Sequence, residues 1–335
     1  MSTEQYDPLT DRQITRLAHQ LLTHYPEIYQ GELTLLCRSE NATFKIVTPK
    51  QNYAMRLHRI GYHDKIDIES ELLWLDALGE AGILVPQAIP NKLGERVQSI
   101  SLDDGSSRFA VLFHWVDGQM PTIEVDPKAF FELGKITAQL HQHARQWKRP
   151  DTFKRIIWNH QTMVTDQAHW GKWQEAPHLK ASDHEIIKTA MDHVAHAMQD
   201  YGQSPQRYGL IHADLRLTNL LLHHGQTRVI DFDDCGMGWF IHDLAAAISF
   251  NEHLKQAPQW IDQWLNGYEQ IAHLDDDDLD ILPSMIIQRR IQMLAWTGTH
   301  ADTEMTRSLG TNWADESVRL CHLYLEQEAL PVGVS

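Results

Sequence analysis

The sequence predicts an α+β, two-lobed fold: a small front section of antiparallel strands and a larger back section built mostly of helices. Three observations point there. Short β-type runs crowd the first third of the chain, helical periodicity dominates the remainder, and the pattern changes at Asp117-Gly118, with Pro121 close behind. The boundary is placed accordingly, with residues 1–115 as the front lobe and 116–335 as the back lobe.

The front section reads as helix, strands, helix, strands. Leu33–Leu36, Thr43–Val47 and Tyr53–His58 are strand-like runs separated by polar turns. Residues 66–81 follow as a helix whose apolar face is marked by Ile68, Leu75 and Leu78, and Val85-Pro86 breaks it. Arg108–Val116 (RFAVLFHWV) reads as a buried strand. Beyond the break, Asp126-Pro127 supplies a helix start, a capping residue followed by proline in the first turn. Phe130, Leu133, Ile136, Leu140 and Ala144 then recur at helical spacing. Leu220–Leu222 and Arg228–Phe232 flank the turn His223-His224-Gly225-Gln226, so they form a hairpin. The acidic run Asp275–Asp278 reads as a solvated helix N-terminus, where negative charge is favourable.

Composition narrows the function classes. At 335 residues the chain can fill two domains or one two-lobed unit. No apolar run approaches the ~18 residues that span a bilayer, and Met1–Asp11 has no apolar core of the signal-peptide kind, so a cytoplasmic address and no membrane partner are expected. Cys37, Cys235 and Cys321 are odd in number and far apart, which disfavours a disulfide framework or a zinc knuckle. Lys and Arg total 29 against 45 Asp and Glu, a net charge of −16 that repels phosphate backbones and argues against nucleic acid as partner. Such a surface suits a cationic substrate, although solubility alone accounts for it. The 21 histidines have no metal-ligand layout, and the sequence leaves monomer and homodimer open.

The most informative stretch is Leu210–Ala247. Asp214 and Asn219 precede the first hairpin strand and Asp231 lies near the end of the second, so folding the hairpin can bring all three to one end. Oxygen ligands of this kind suit a hard cation such as magnesium, and a further carboxylate can orient a hydroxyl and take its proton. The phosphoryl-transfer template is His-x-Asp, four residues, Asn, then a strand ending in Asp. Here His212-Ala213-Asp214 is followed by four residues, Asn219, and then Asp231-Phe232-Asp233. Taken singly, an HxD or an Asp-rich turn is weak; the ordered set His212, Asp214, Asn219, Asp231 and Asp243 is not.

On these residues the chain resembles the aminoglycoside phosphotransferase and choline kinase superfamily, which shares the protein-kinase fold. Val229–Leu244 (VIDFDDCGMGWFIHDL) is most similar to the stress-response kinase A and homoserine-kinase-like branch, and a weaker resemblance runs from about residue 30 to about residue 300. It implies ATP and Mg2+, Asp214 as catalytic base in the loop begun by His212, and Asn219 and Asp231 as metal ligands. Asp233 is grouped with those ligands, and Asp243 matches an aspartate that braces the catalytic loop.

Such a site also needs a cation on the nucleotide phosphates, held by a carboxylate. Strand alternation sets Arg56 opposite Tyr53, Met55 and Leu57, facing the interlobe cleft. Glu71 falls on the apolar face of the next helix, where a carboxylate requires a partner, and Arg56 is the natural one; a purely structural ion pair is the alternative. Glu69 points elsewhere, to solvent. Ser39-Glu40-Asn41-Ala42-Thr43 matches the family's nucleotide-positioning loop, which makes Ser39 and Asn41 candidate contacts, while His114 and Val116 lead into the expected adenine hinge. Some residues depart from the family. Arg56 replaces the usual lysine, the covering loop lacks glycine, and Ala213 stands where the family has Gly and protein kinases have Arg. There is no Asp-Phe-Gly glycine and no Ala-Pro-Glu, which disfavours a regulated activation loop.

The helical region beyond residue 240 is the expected acceptor pocket. Trp260, Trp264, Tyr268 and Trp296 could hold an ammonium group or simply form core. Arg289 shares a stripe with Leu282, Ile286, Met293 and Trp296, so it needs a partner, either a structural acid or a substrate carboxylate. The expected activity is ATP- and Mg-dependent phosphoryl transfer to a hydroxyl of a small, amine-bearing metabolite. The rivals are a serine or threonine acceptor in a protein, as in the stress-response kinase type, a nucleotide-binding pseudokinase, and a metal-dependent hydrolase using Asp231–Asp234.

Overall fold

The computed structural model describes residues 9–38, 40–102, 105–122 and 128–326. The front part begins with helix α1 (Asp11–Leu22), capped by Thr10, whose hydroxyl accepts from Gln13 N. Strands β1 (Glu32–Arg38), β2 (Ala42–Val47), β3 (Asn52–Leu57), β4 (Ala88–Ile89), β5 (Val97–Ser101) and β6 (Ser107–His114) make one antiparallel sheet. Its order is β1-β2-β3-β6-β4, with β5 also on β6. Helix α2 (Lys65–Glu80) starts at Asp64, whose carboxylate accepts from Asp67 N. Alternation divides the sheet between two cores. Phe44, Ile46, Met55, Leu57 and Leu112 pack with α1, whereas Val97, Val111 and Phe113 join Ile68, Leu72 and Leu75 of α2 in a core continuous with the helical part.

The back part contains α3 (Lys128–Gln146), β7 (Ile156–Ile157), α4 (His160–Val164), α5 (His184–Tyr201), β8 (Tyr208–Ile211), β9 (Leu220–His223), β10 (Gln226–Val229) and β11 (Gly236–Trp239). Helices α6 (His242–Ala247), α7 (Ala257–Tyr268), α8 (Asp276–Asp280), α9 (Leu282–Thr299), α10 (Glu304–Leu309) and α11 (Asn312–Leu325) follow. Strand β11 pairs parallel to β7 and antiparallel to β8, a small sheet no sequence pattern announces because β7 has two residues. The expected hairpin is β9–β10, but its second strand stops at Val229 rather than Phe232. Ile230 N donates to Asn219 O and Asp231 takes φ +64°, which turns the chain out of the ladder. Strand β6 likewise stops at His114, short of Val116. The start expected at Asp126-Pro127 lies outside the described residues.

Helices α3 and α7 approach closely because each offers a glycine to the other. A Cβ on Gly134 would lie 1.9 Å from Trp264 O, and one on Gly267 would lie 1.9 Å from Phe131 O. Phe130 stacks on Trp260 with ring centroids 5.4 Å apart, and Trp264 and Tyr268 are fully buried, so these three aromatics are core rather than pocket lining. Helix α9 is buried along nearly its whole length. Among the described residues, no helix is long and apolar enough to cross a membrane.

Candidate active site

A cavity of about 610 Å³ separates the front sheet from the β9–β10 hairpin, lined by Arg56, Glu71, Phe113, His114, Val116, Asn219, Asp231 and Asp233 among others. Arg56 leaves β3 on the face away from Met55 and meets Glu71 of α2, Nη2 to Oε2 at 2.6 Å, both side chains at most one-tenth exposed. Burial alone would disfavour the Arg56 charge, but Glu71 and Asp233 outweigh it and raise its pKa. His114 and Val116 sit on the same cavity wall at the end of β6. Ser39 lies outside the described residues; Asn41 lies in the β1–β2 turn and reaches across to the back part.

The loop segment after β8, which carries His212 and Asp214, is held by Asp243 at the start of α6. Asp243 Oδ1 accepts from Ala213 N at 2.8 Å and Oδ2 from His212 N at 3.2 Å. Its Oδ2 also contacts His141 Nε2 at 2.9 Å, and His141 Nδ1 meets Tyr268 Oη at 3.0 Å. Full burial would raise the Asp243 carboxyl, but these donors hold it below the ordinary range. The grip matters because Ala213 has φ +69°, a conformation that costs a non-glycine residue about 1–2 kcal/mol. His212 is buried; one ring nitrogen contacts Ile230 O at 3.1 Å, and burial lowers its pKa, leaving it a neutral strut.

Asp214 is thereby presented at the loop's edge with 14 % of its side chain exposed. Asn219 Nδ2 donates to Asp214 O at 2.7 Å, which closes the loop and fixes the amide's orientation. Two arginines grip the Asp214 carboxylate. Arg289 Nη2 donates to Oδ1 at 2.6 Å, and Arg216 donates through Nη2 to Oδ2 at 3.0 Å and through Nε to Oδ1 at 3.1 Å. Burial would raise this carboxyl, yet Arg216 and Arg289 hold it below the usual range. The charge on the α9 stripe therefore has a protein acid as its partner. Arg216 could have been suspected from its position two residues beyond Asp214; the partner of Arg289, 75 positions away, left no trace in the pattern.

Asp231 lines the cavity, where desolvation among protein groups, then the nearby Asp233 charge, push its carboxyl up to about 7. Among the described residues neither Asp231 oxygen nor Asn219 Oδ1 accepts a hydrogen bond, so hard oxygen donors stand open on the cavity wall, a donor set that fits a hard cation. No ready-made cage of three or more His, Cys, Asp or Glu exists among the described residues. Asp233, grouped with the ligands from sequence, is otherwise engaged. Its Oδ2 accepts from Asn41 Nδ2 at 2.8 Å, its Oδ1 lies 3.3 Å from His58 Nδ1, and Arg56 and His63 stand 3.9 Å away. It works as a buried hub between the two parts, and the donors around it outweigh burial to keep it ionised. Asp234, next along, is pushed up to about 8 by burial and by the Asp233 and Asp214 charges. A second link between the parts runs from Glu40 in the β1–β2 turn, whose Oε1 accepts from Trp296 Nε1 at 2.6 Å and lies 3.4 Å from His300 Nε2.

Comparison with known proteins adds four findings. Residues 37–278 match the model of the phosphotransferase enzyme family. Amicoumacin kinase of Bacillus subtilis (strain 168) is 23% identical over 273 residues, 78% of this chain and 78% of its own. Among solved structures, a microcompartment-associated aminopropanol kinase superposes with a TM-score of 0.87 at 37% identity, over 95% of this chain and all of that one. An amicoumacin kinase in complex with AMP-PNP, Ca2+ and Ami superposes at 0.76 with 22% identity, over 96% of this chain and 95% of that one. The architecture shared with these kinases is the α+β fold expected from sequence.

Proposed function

The chain belongs to the phosphotransferase enzyme family, and from that premise we propose that it moves the γ-phosphoryl group of ATP, with Mg2+, to a hydroxyl of a small, amine-bearing metabolite. The observation that carries the proposal is the placement of Asp214 beside Asn219, which shares the cavity wall with the open Asp231 carboxylate. ATP would lie between a front lobe of residues 1–115 and a back lobe of 116–335, its base toward His114 and Val116. Arg56, fixed by Glu71, supplies positive charge to the phosphates through a rigid planar fork suited to bidentate contact, where a lysine offers a compact point charge. Asn41 contributes from the β1–β2 turn, and Ser39 is proposed with it from its place in that turn.

Asn219 Oδ1 and Asp231 are the residues that would hold the metal, whose chemistry when bound is to neutralise charge building on the phosphate oxygens. Asp214 orients the acceptor hydroxyl and receives its proton as the new O–P bond forms; His212 and Asp243 keep that carboxylate in place. A small acceptor is favoured over a protein serine or threonine because the related kinases named above act, by their names, on small molecules. The aminopropanol kinase, at 37% identity, supports the amine. A screen of dialysed metabolites for ATP-dependent ADP release tests the proposal. Acceptor-dependent release that Asp214→Asn abolishes is expected, and undiminished release by that variant would overturn it.

A further inference from the structure

Asp234 plays no part in the reaction as described, yet it lines the same cavity. Its Oδ1 accepts from Tyr62 Oη at 2.5 Å, and its Oδ2 has no hydrogen-bond partner among the described residues. Tyr62 is fixed in turn. Trp170 Nε1 donates to the Tyr62 oxygen at 3.1 Å, and the Arg59 guanidinium lies 3.4 Å from its ring centroid. Trp170 carries the chain of contacts on to Asp214, because the Arg289 guanidinium sits 5.0 Å over its ring while donating to Asp214. Asp234 and Asp214 thus stand at two ends of one chain of contacts, with Tyr62, Trp170 and Arg289 between them. Arg59, stacked on Tyr62, tempers the charge at that end without occupying Oδ2.

A second, independent feature marks the other end. Gln292, 1% exposed, accepts from Arg289 Nη1 at 3.0 Å, and its Nε2 has no hydrogen-bond partner. Gln292 thereby fixes Arg289 from behind, on the side away from its bond to Asp214, at the cost of a buried amide donor left unpaired. One end of this chain of contacts therefore offers an unfilled acceptor on the cavity wall, and the other a proton acceptor whose arginine is itself fixed by Gln292. A molecule with an ammonium group at one end and a hydroxyl at the other complements both.

We propose that Asp234 anchors the ammonium group of the acceptor and so sets the enzyme's preference for amino alcohols, while Asp214 holds the acceptor hydroxyl. The proposal rests on the phosphotransferase reading above and names the residues that select its acceptor. Tyr62 acts as a positioning residue, holding Oδ1 so that Oδ2 faces the cavity.

The test compares a short amino alcohol, 1-amino-2-propanol, with the diol that replaces its amine by hydroxyl, 1,2-propanediol. Wild type, Asp234→Asn and Tyr62→Phe are assayed for ADP release, and ADP-induced thermal stabilisation verifies that each variant is folded. Wild type is expected to prefer the amino alcohol. Asp234→Asn should raise KM for the amino alcohol roughly 10–100-fold, the loss of a hydrogen-bonded charge pair, while KM for the diol moves only a few-fold. Tyr62→Phe should shift the same ratio in the same direction by less, and it decides the matter if Asp234→Asn does not fold. An unchanged amino alcohol-to-diol ratio, or an equal loss on both acceptors, overturns the anchor while leaving the phosphotransferase intact. A wild type that phosphorylates neither this nor other amino alcohols overturns the acceptor reading itself, a result distinguishable from the first.

Discussion

Replacing Asp214 with Asn should damage stability as well as turnover, because the carboxylate is the counter-charge of a buried arginine. Arg289 is 1% exposed, and its other donors are already committed, Nε to Ser249 Oγ at 2.9 Å and Nη1 to Gln292 Oε1 at 3.0 Å. Removing one partner of a buried pair costs about 3–5 kcal/mol, since the surviving charge has nothing to neutralise it. Asp214 retains 14 % exposure and Arg216 retains 25%, so water screens part of that loss, and about 2–3 kcal/mol is the expected figure. For a chain of this size that is a fall in melting temperature of about 3–4 °C. Turnover should fall about 10²–10⁴-fold. The discriminating variant is Asp214→Asn combined with Arg289→Met, which removes both charges and should recover most of the lost stability with none of the turnover. Thermal unfolding and ADP release on the four proteins of the cycle measure both. If Asp214→Asn melts with wild type, Arg289 does not depend on that carboxylate and the reasoning fails.

Gly267→Ala should destabilise by roughly 1–3 kcal/mol or more, because its Cβ would meet Phe131 O at 1.9 Å and force α3 and α7 apart; a urea midpoint equal to wild type would contradict this. Stability should also fall as pH drops from about 6.5 towards 4. Burial pushes His242 down to about 4 and lowers His58, His141 and His212 as well, so the unfolded chain takes up protons that the folded one refuses. The contribution is complete above the unfolded value near 6.5 and disappears as pH descends to the folded one, at about 1.4 kcal/mol per pH unit for each histidine. The raised carboxyls of Asp231 and Asp234 work in the opposite sense over this window, but they are two groups against four histidines, so a net fall is expected, and urea midpoints that stay level would refute the assignment. Glu40→Ala removes the Trp296 and His300 link across the cleft; a few-fold rise in KM for ATP with an unchanged melting temperature is expected, and steady-state kinetics against ATP decide it.

What was legible in the sequence was local. Asp214, Asn219 and Asp231 lie within eighteen positions and a hairpin fixes their relation, so spacing alone sufficed to gather them. Arg56 and Glu71 were readable because strand alternation and helix periodicity each point one side chain, and the two elements are neighbours. The contacts that escaped were long-range ones. Asp233 meets Asn41 across 192 positions, Tyr62 meets Asp234 across 172, and Asp243 meets His141 across 102. Nothing in a periodicity specifies which distant polar group will answer a buried charge. Arg289 shows the boundary well: its place on an apolar stripe announced that a partner must exist, but not which. The aromatic residues of α7 show the converse, since helical spacing already favoured core and the glycine contacts behind them were invisible until two backbones met.

The two arginines on Asp214 also constrain how the proposed base can work. A carboxylate held below its ordinary pKa is a poor proton acceptor, and an alcohol is a far weaker acid than any carboxylic acid. Full deprotonation of the acceptor before attack is therefore uphill at this site. The arrangement suits a carboxylate that first orients the hydroxyl and receives the proton only as the oxygen forms its bond to phosphorus, when that proton becomes acidic. This matches phosphoryl transfer, in which little nucleophile activation is required and positioning carries most of the catalysis. Arg216 and Arg289 then serve to hold the carboxylate in one rotamer, at the expense of basicity the reaction does not need. On this account kcat has no ionisation of Asp214 to report above the ordinary carboxylate range. Arg289→Met, which loosens the carboxylate and raises its pKa together, should lower kcat through misplacement although the group becomes the stronger base.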